Sequence, residues 1–177
     1  LTYVVYVTFF VTASIEKYDI NIDKSGYFWS LLGFMSLFSG PVFGSIADKI
    51  GAYKTLIIIY SLQTIASIIL VLDLPANYLW ISVILFGSSA WTIPSLIMLL
   101  TSQEFGLQNT AKVFSMATFI FAIGQIIGPV GAGYLHDIEG NFSTVFMISS
   151  LLTFVGVILC FIFSLTKQTT KSTILNK

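Results

Sequence analysis

Apolar residues occur in six long runs along the chain, and short polar segments separate these runs. The runs cover residues 1–15, 27–47, 55–72, 78–101, 113–135 and 143–165. A helix needs about 20 apolar residues to cross a bilayer of about 30 Å, so the runs have the length of membrane spans. They do not alternate between apolar and polar positions as the strands of a membrane barrel would. The pattern therefore predicts an all-α membrane protein with six transmembrane helices, here spans 1 to 6.

Composition places the chain in the same class. Hydrophobic residues make up 56% of it and charged residues only 9%, whereas a soluble domain carries about 25% charged residues. Eight lysines balance eight acidic residues and no arginine is present, which excludes nucleic-acid binding. The single cysteine and single histidine exclude a disulfide framework and a metal cluster. With no nucleophile–base set either, we expect no enzyme activity and no cofactor.

Lysines are distributed unequally between the two sides of the predicted bundle. Lys17 and Lys24 fall on one side, and the other six of the eight lysines fall on the opposite side. By the positive-inside rule the lysine-rich side is cytoplasmic. We therefore expect a multi-pass protein of the cell membrane with a bundle over residues 1–165 and a cytoplasmic tail over residues 166–177. Span 1 starts at Leu1 without a basic leader, which favours a fragment that begins inside a helix over a signal peptide.

Two segments of the chain resemble each other. Each has a Gly-Pro pair, then a glycine, then Asp-x-x-Gly; the pairs are Gly40 with Pro41 and Gly128 with Pro129. Both segments close the second helix of a three-helix group, which predicts two repeats, residues 1–72 and 78–165. An offset of three spans reverses the membrane direction, and inverted repeats are typical of secondary transporters. A chance match is the alternative.

Glycines in spans 2 and 5 form faces of small residues that favour close helix packing. These glycines are Gly40 and Gly44 in span 2, and Gly124, Gly128 and Gly133 in span 5. We expect spans 2 and 5 to pack on each other, with Asp48 at the cytoplasmic end.

The segment after span 2 resembles the signature of the major facilitator superfamily, G-x-L-a-D-r-x-G-r-k, which lies between the second and third helices of each six-helix half. The matching residues are Gly44, Asp48, Gly51 and Lys54, and Lys49 stands where an arginine is usual. Ala52 departs from the pattern, since a basic residue is usual there. Other stretches are similar to a poorly characterised prokaryotic branch, and no long charged loop follows span 6, so the chain resembles a C-terminal half.

The resemblance implies a secondary active permease that moves a small organic solute by rocking alternating access, and it implies an N-terminal six-helix half as partner. It also implies that Asp48 belongs to a cytoplasmic latch, for which a plain helix cap is the alternative. Spans 1 and 4 would line the central cavity. The candidate cavity residues are Tyr3, Tyr6 and Phe10 in span 1, Ser88, Trp91, Thr92 and Ser95 in span 4, and Gln125 in span 5. Ordinary helix packing is the alternative for each of them.

Ionisable residues are absent from the middle of the six runs, although such residues are the usual proton-coupling groups. If transport is proton-driven, the titrating group lies in the other half or at a helix end, such as Glu16. His136 and Asp137 are candidates for a pH sensor or mark the membrane interface. Two rival interpretations stay open: a half-size protein that works as a homodimer, and a six-helix membrane scaffold or enzyme.

Overall fold

A computed structural model of the chain describes the backbone of residues 1–175 and the side chains of residues 1–167. The regular elements in this part are α-helices: α1 (Thr2–Tyr18), α2 (Ile22–Ile50), α3 (Ala52–Val71), α4 (Tyr78–Ala90), α5 (Thr92–Phe105), α6 (Leu107–Glu139) and α7 (Ser143–Leu175). The predicted tail over residues 166–177 lies partly outside the described residues, and its cytoplasmic location stays a prediction.

Five segments are long and apolar enough to cross a membrane: α2, α3, α4 with α5, α6 and α7. Helix α1 is shorter, with 17 residues. The prediction of an all-helical protein with several membrane-spanning helices is confirmed. The symmetry of two inverted three-helix repeats stays a prediction.

The helices are longer than the apolar runs that predicted them. Helix α2 continues past the apolar run through Asp48 and Lys49 and ends at Ile50, where the Gly51 N–H donates to the Ala47 carbonyl at 2.9 Å. Gly51 has a φ of 90°, a backbone conformation that favours glycine and lets the chain turn within one residue. An apolar run marks the part of a helix that lies in lipid, whereas backbone hydrogen bonds continue beyond it. The loops between the helices are therefore shorter than the sequence predicted.

Span 4 is not one uninterrupted helix. Helices α4 and α5 meet at Trp91, which lies between them with φ −84° and ψ −8°. Pro94 lies in the first turn of α5, where its missing N–H cannot continue the hydrogen bonds of α4. The proline therefore explains why the predicted span is divided.

The core is aromatic toward one end of the bundle and aliphatic toward the other. Tyr6 of α1 stacks on Phe86 of α4 with 3.7 Å between ring centroids, and Phe10 meets Phe28 edge-on. A second cluster joins α2, α3 and α5; its buried members are Phe43, Ala47, Ala52, Leu56, Ile59 and Leu96. These contacts hold α1 and α5 in fixed positions within the bundle.

Helix α3 packs along α7, with α4 also against it. The Thr64 hydroxyl donates to Thr153 Oγ1 at 2.9 Å, which links the two helices. Gln63 and Ser67 are buried as well. Gln63, Thr64 and Ser67 therefore lie in contacts between helices and not on an open face.

Helices α2 and α6 do not pack on each other, contrary to the prediction. Helix α2 packs mainly against α4, and α6 packs against α5 and α1. The small face of α6 meets α1: a Cβ on Gly128 would lie 3.1 Å from the Leu1 carbonyl oxygen, and one on Gly124 would lie 3.2 Å from the Leu1 nitrogen. By contrast, a Cβ on Gly40, Gly44 or Gly133 would meet no atom of the described residues within 4 Å. The glycines of α2 thus face open space.

Candidate functional site

The signature-like segment lies at the end of α2 and the start of α3. Asp48, Lys49 and Lys54 are all exposed, and only Gly51 separates the two helices. Among the described residues, no side chain forms a hydrogen bond or ion pair with the Asp48 carboxylate. The carboxylate is therefore available to a partner outside this bundle.

A second charged cluster, which the sequence did not indicate, lies near the start of α3. Glu104 of α5 forms an ion pair with Lys167 of α7. The Lys167 ammonium lies 5.7 Å from the centroid of the Tyr53 ring, within the range of a cation–π contact. These contacts join α3, α5 and α7 at the same end of the bundle as Asp48.

Two candidate cavity residues come together at the start of α1 and the α4–α5 break. Tyr3 meets Trp91 edge-on with 5.6 Å between ring centroids, and it also stacks near Phe86. The Trp91 side chain is 55% exposed, and Ser95 one turn later is also exposed. Tyr3 and Trp91 thus form an aromatic edge on an open face of the bundle.

Tyr6 and Phe10 lie elsewhere. Tyr6 is 1% exposed, and its hydroxyl is 2.6 Å from Ser82 Oγ. Ser82 in turn donates to the Ala66 carbonyl at 2.8 Å. Both aromatic side chains are enclosed by neighbouring helices, so they belong to the packing core and not to the open face.

The four candidates of span 4 do not share one face. Thr92 is 1% exposed, and its hydroxyl lies 2.5 Å from Ser39 Oγ of α2. Ser88 is half-buried and donates to the Leu85 carbonyl of its own helix. Only Trp91 and Ser95 are exposed. Thr92 is buried because it contacts α2, whereas Trp91 and Ser95 are exposed. The residue spacing along span 4 does not indicate this contact with α2.

Gln125 lies on α6, where it is half-buried. Its neighbour Gly124 faces Leu1, so Gln125 borders the contact between α6 and the start of α1. Tyr3 lies two residues after Leu1 on the other side of that contact. The open face therefore carries a phenol and an indole near the start of α1, and Gln125 stays a candidate by its place next to the contact with Leu1.

The opposite end of α1 carries the charges that the sequence singled out separately. Glu16 of α1 lies 3.1 Å from His136 of α6, and Lys17 pairs with Asp73 at 3.1 Å. A cavity of about 230 Å³ is lined by Glu16, Lys17, Asp73 and Asn141. No sequence signal paired Glu16 with His136, because 120 residues separate them.

Comparison with known proteins relates the chain to membrane transporters. Residues 1–161 match the family described as uncharacterised MFS-type transporter YbfB. The chain is 29% identical over 154 residues to solute carrier family 67 member A1 of Homo sapiens, covering 82% of this chain and 35% of that protein. It is 20% identical over 149 residues to monocarboxylate transporter 12-B of Danio rerio, covering 81% of this chain and 31% of that protein. No solved structure gives a significant match.

The chain therefore spans about one third of the length of these curated relatives. The family match covers nearly all of the described helices and agrees with the several apolar helices of the bundle. This multi-pass membrane chain belongs to the MFS-type transporter family of YbfB, as the segment around Asp48 predicted.

Proposed function

We propose that the chain is the C-terminal six-helix half of a secondary active transporter that moves a small organic solute by rocking alternating access. The observation that carries this proposal is the contact of Tyr3 with the exposed Trp91 on the open face of the bundle. Solute sites of inverted-repeat transporters lie between structural units, where a polar and aromatic face is needed. The proposal includes two inverted repeats, residues 1–72 and 78–165.

A second six-helix unit would cover the exposed faces of α2 and α6. Helix α6 has 33 residues, and only 6% of the residues in its most apolar stretch are buried. Relatives about three times as long as the matched segment supply room for such a unit. We assign this role to an N-terminal half in the same polypeptide. A second copy of the chain is the other candidate, since it would also cover both faces.

The solute that this face suits is small and bears hydrogen-bond acceptors. The Trp91 indole, the Tyr3 hydroxyl and the Gln125 amide are donors, and carboxylate or hydroxyl oxygens accept from such groups. A relative is named as a monocarboxylate transporter, which agrees with an organic acid as solute. The open face has no lysine among its described residues, so the counter-charge of an acid would come from the second unit.

Asp48 would act as a latch between the two units on the cytoplasmic side. Its carboxylate is exposed at the end of α2 and has no partner among the described residues. A carboxylate is stabilised by the N-terminus of another helix or by a lysine, so a neighbouring unit would hold it in one conformation and release it in the other.

The experiment that tests the proposal is uptake into proteoliposomes that contain the full-length protein, with a panel of radiolabelled small mono- and dicarboxylates and neutral sugars. We expect uptake of at least one acid, and Trp91→Ala should reduce it about tenfold because binding surface is lost at the open face. Trp80→Ala is the matched control, since Trp80 packs on Phe28 at a distance from this face. Equal uptake by the two variants would refute the assignment of the face.

A further inference from the structure

A histidine and a glutamate join the ends of two helices at the end of the bundle that the lysine distribution predicts to face outside. His136 Nε2 of α6 lies 3.1 Å from Glu16 Oε2 of α1. The imidazole also stacks on Phe142, just before α7, with 4.1 Å between ring centroids and 20° between the ring planes. Contacts from two other parts of the fold therefore fix the ring.

The neighbouring lysine is engaged elsewhere. Lys17 Nζ donates to the backbone carbonyls of residues 70–72 at 2.9 to 3.1 Å and pairs with Asp73. These contacts direct its charge toward the end of α3. Within the described part of the chain, His136 is thus the basic group in contact with Glu16.

The other titratable groups around the pair are acidic or phenolic. Asp137 Oδ1 lies 3.8 Å from His136 Nδ1, on the opposite side of the ring from Glu16. The same helix ends also carry Glu139 of α6, Asp19 directly after α1 and Tyr18 of α1, and the Tyr18 hydroxyl donates to the Leu72 carbonyl after α3. The contact from the turn before α7 is the uncharged ring of Phe142. An imidazolium at this place would lie between two carboxylates.

Water reaches the pair, because 26% of the His136 side chain and 40% of the Glu16 side chain are exposed. Imidazole is the side chain whose charge changes between about pH 5 and 8. A carboxylate only accepts hydrogen bonds, so the neutral imidazole carries its hydrogen on Nε2, toward Glu16. The lone pair of Nδ1 then points toward Asp137 and is free to take a proton.

We propose that Glu16 and His136 form a proton-binding clamp between the outer ends of α1 and α6. A hydronium ion gives a proton to Nδ1 of His136 and leaves as water, and the contact with Glu16 becomes an ion pair. The pair holds the two helix ends together. Loss of the proton leaves a neutral hydrogen bond, which holds them less strongly.

This inference rests on the proposed transport function, because only in a transporter does proton binding at one end of the bundle close one side of the membrane. Proton uptake from outside closes the contact between the outer ends of α1 and α6. Because Tyr3 of the open face lies at the start of α1, the clamp acts on a helix that borders the proposed solute site. When the proton leaves His136, the ion pair is lost and the outer end opens.

A distance measurement tests the clamp without any solute. Spin labels at Thr12→Cys of α1 and Ile138→Cys of α6, both exposed, report the distance between these two helices toward their outer ends. The full-length protein, with its other cysteines replaced by serine, is placed in phosphatidylcholine nanodiscs and measured by double electron–electron resonance at pH 6 and pH 8. We expect a longer distance at pH 8, with a two- to fivefold change in the ratio of the two populations.

Glu16→Gln and His136→Gln should each abolish this pH response, and either variant alone suffices if the other does not fold. Glu104→Gln is the matched control, since it breaks the ion pair with Lys167 at the opposite end of the bundle, and it should keep the response. A response that survives in both clamp variants, or none in the unaltered protein, would overturn the clamp. Failure of uptake for every solute, with the pH response intact, would instead count against the proposed transport function alone.

Discussion

Single glycines in this bundle differ in what surrounds them, although all lie in similar apolar runs. A Cβ on Gly87 of α4 would lie 3.1 Å from the Leu32 carbonyl oxygen and 3.1 Å from Met35 Cβ, both in α2. A Cβ on Gly33, next to Leu32, would meet no described atom within 4 Å. Gly87 therefore permits the close approach of α4 to α2, whereas Gly33 does not limit packing.

Gly87→Leu should destabilise the protein by about 1 to 3 kcal/mol, because the side chain must displace the backbone of α2. Thermal unfolding in detergent, followed by circular dichroism, measures the change. Gly33→Leu is the matched control and should leave the melting temperature nearly unchanged. If both substitutions lowered the melting temperature equally, the close contact of Gly87 with α2 would not be the cause of the destabilisation.

The hydrogen bond between Thr64 and Thr153 is expected to stabilise the contact of α3 with α7 by about 0.6 kcal/mol, the usual value between membrane helices. A double-mutant cycle with Thr64→Val and Thr153→Val, measured by unfolding in mixed micelles, gives the coupling energy. Ser61→Ala combined with Thr153→Val is the control, since Ser61 donates to the Ile57 carbonyl of its own helix. Coupling in the control cycle of the same size would refute a specific bond.

Helices were largely predictable from the sequence, because the requirement to bury backbone polar groups in lipid leaves a long apolar run little choice but a helix. The helix ends were less predictable, since Asp48 and Lys49 continue α2 beyond lipid and only Gly51 ends it. The break at Trp91 had a signal in Pro94 that hydropathy alone does not show. The pattern along each run thus predicts the element, while capping and proline decide its ends.

Pro94→Ala should restore an N–H that can bond toward the Ala90 carbonyl and so extend α4 into α5. We expect the variant to gain about 1 kcal/mol or more of stability, since a proline in a helix interior is unfavourable by about 3 kcal/mol. A straighter segment would also shift Trp91, so uptake should fall while the melting temperature rises. An unchanged melting temperature and unchanged uptake would show that Pro94 does not cause the break.

Contacts between distant parts of the chain were the least predictable at the scale of the whole molecule. The sequence placed Glu16 and His136 at helix ends but did not show that they meet, because spacing along one helix says nothing about its neighbour. It matched the glycines of α2 to those of α6, whereas the structure packs α6 on α1. Small faces indicate close packing without indicating the partner, and here one partner of α2 would lie outside this bundle.

The size of the native protein tests whether a partner of α2 lies in a second unit outside this bundle. A C-terminally tagged protein expressed from its own gene should migrate at about two to three times the 19.5 kDa of this chain, as the length of its relatives predicts. A band near 19.5 kDa would instead support a homodimer, in which two copies of the open face would meet.

Two glycines of α6 separate packing within this bundle from docking of a second unit. Gly128→Leu should lower the melting temperature of the protein, because a Cβ there already meets Leu1 and Val5 at 3.1 to 3.2 Å. Gly133→Leu should leave the melting temperature nearly unchanged, since no described atom lies within 4 Å of that position. If a second unit docks on the exposed face of α6, Gly133→Leu should nevertheless reduce uptake about tenfold by blocking close approach. Full uptake by this variant would mean that the face is open to lipid, where an added leucine has no effect.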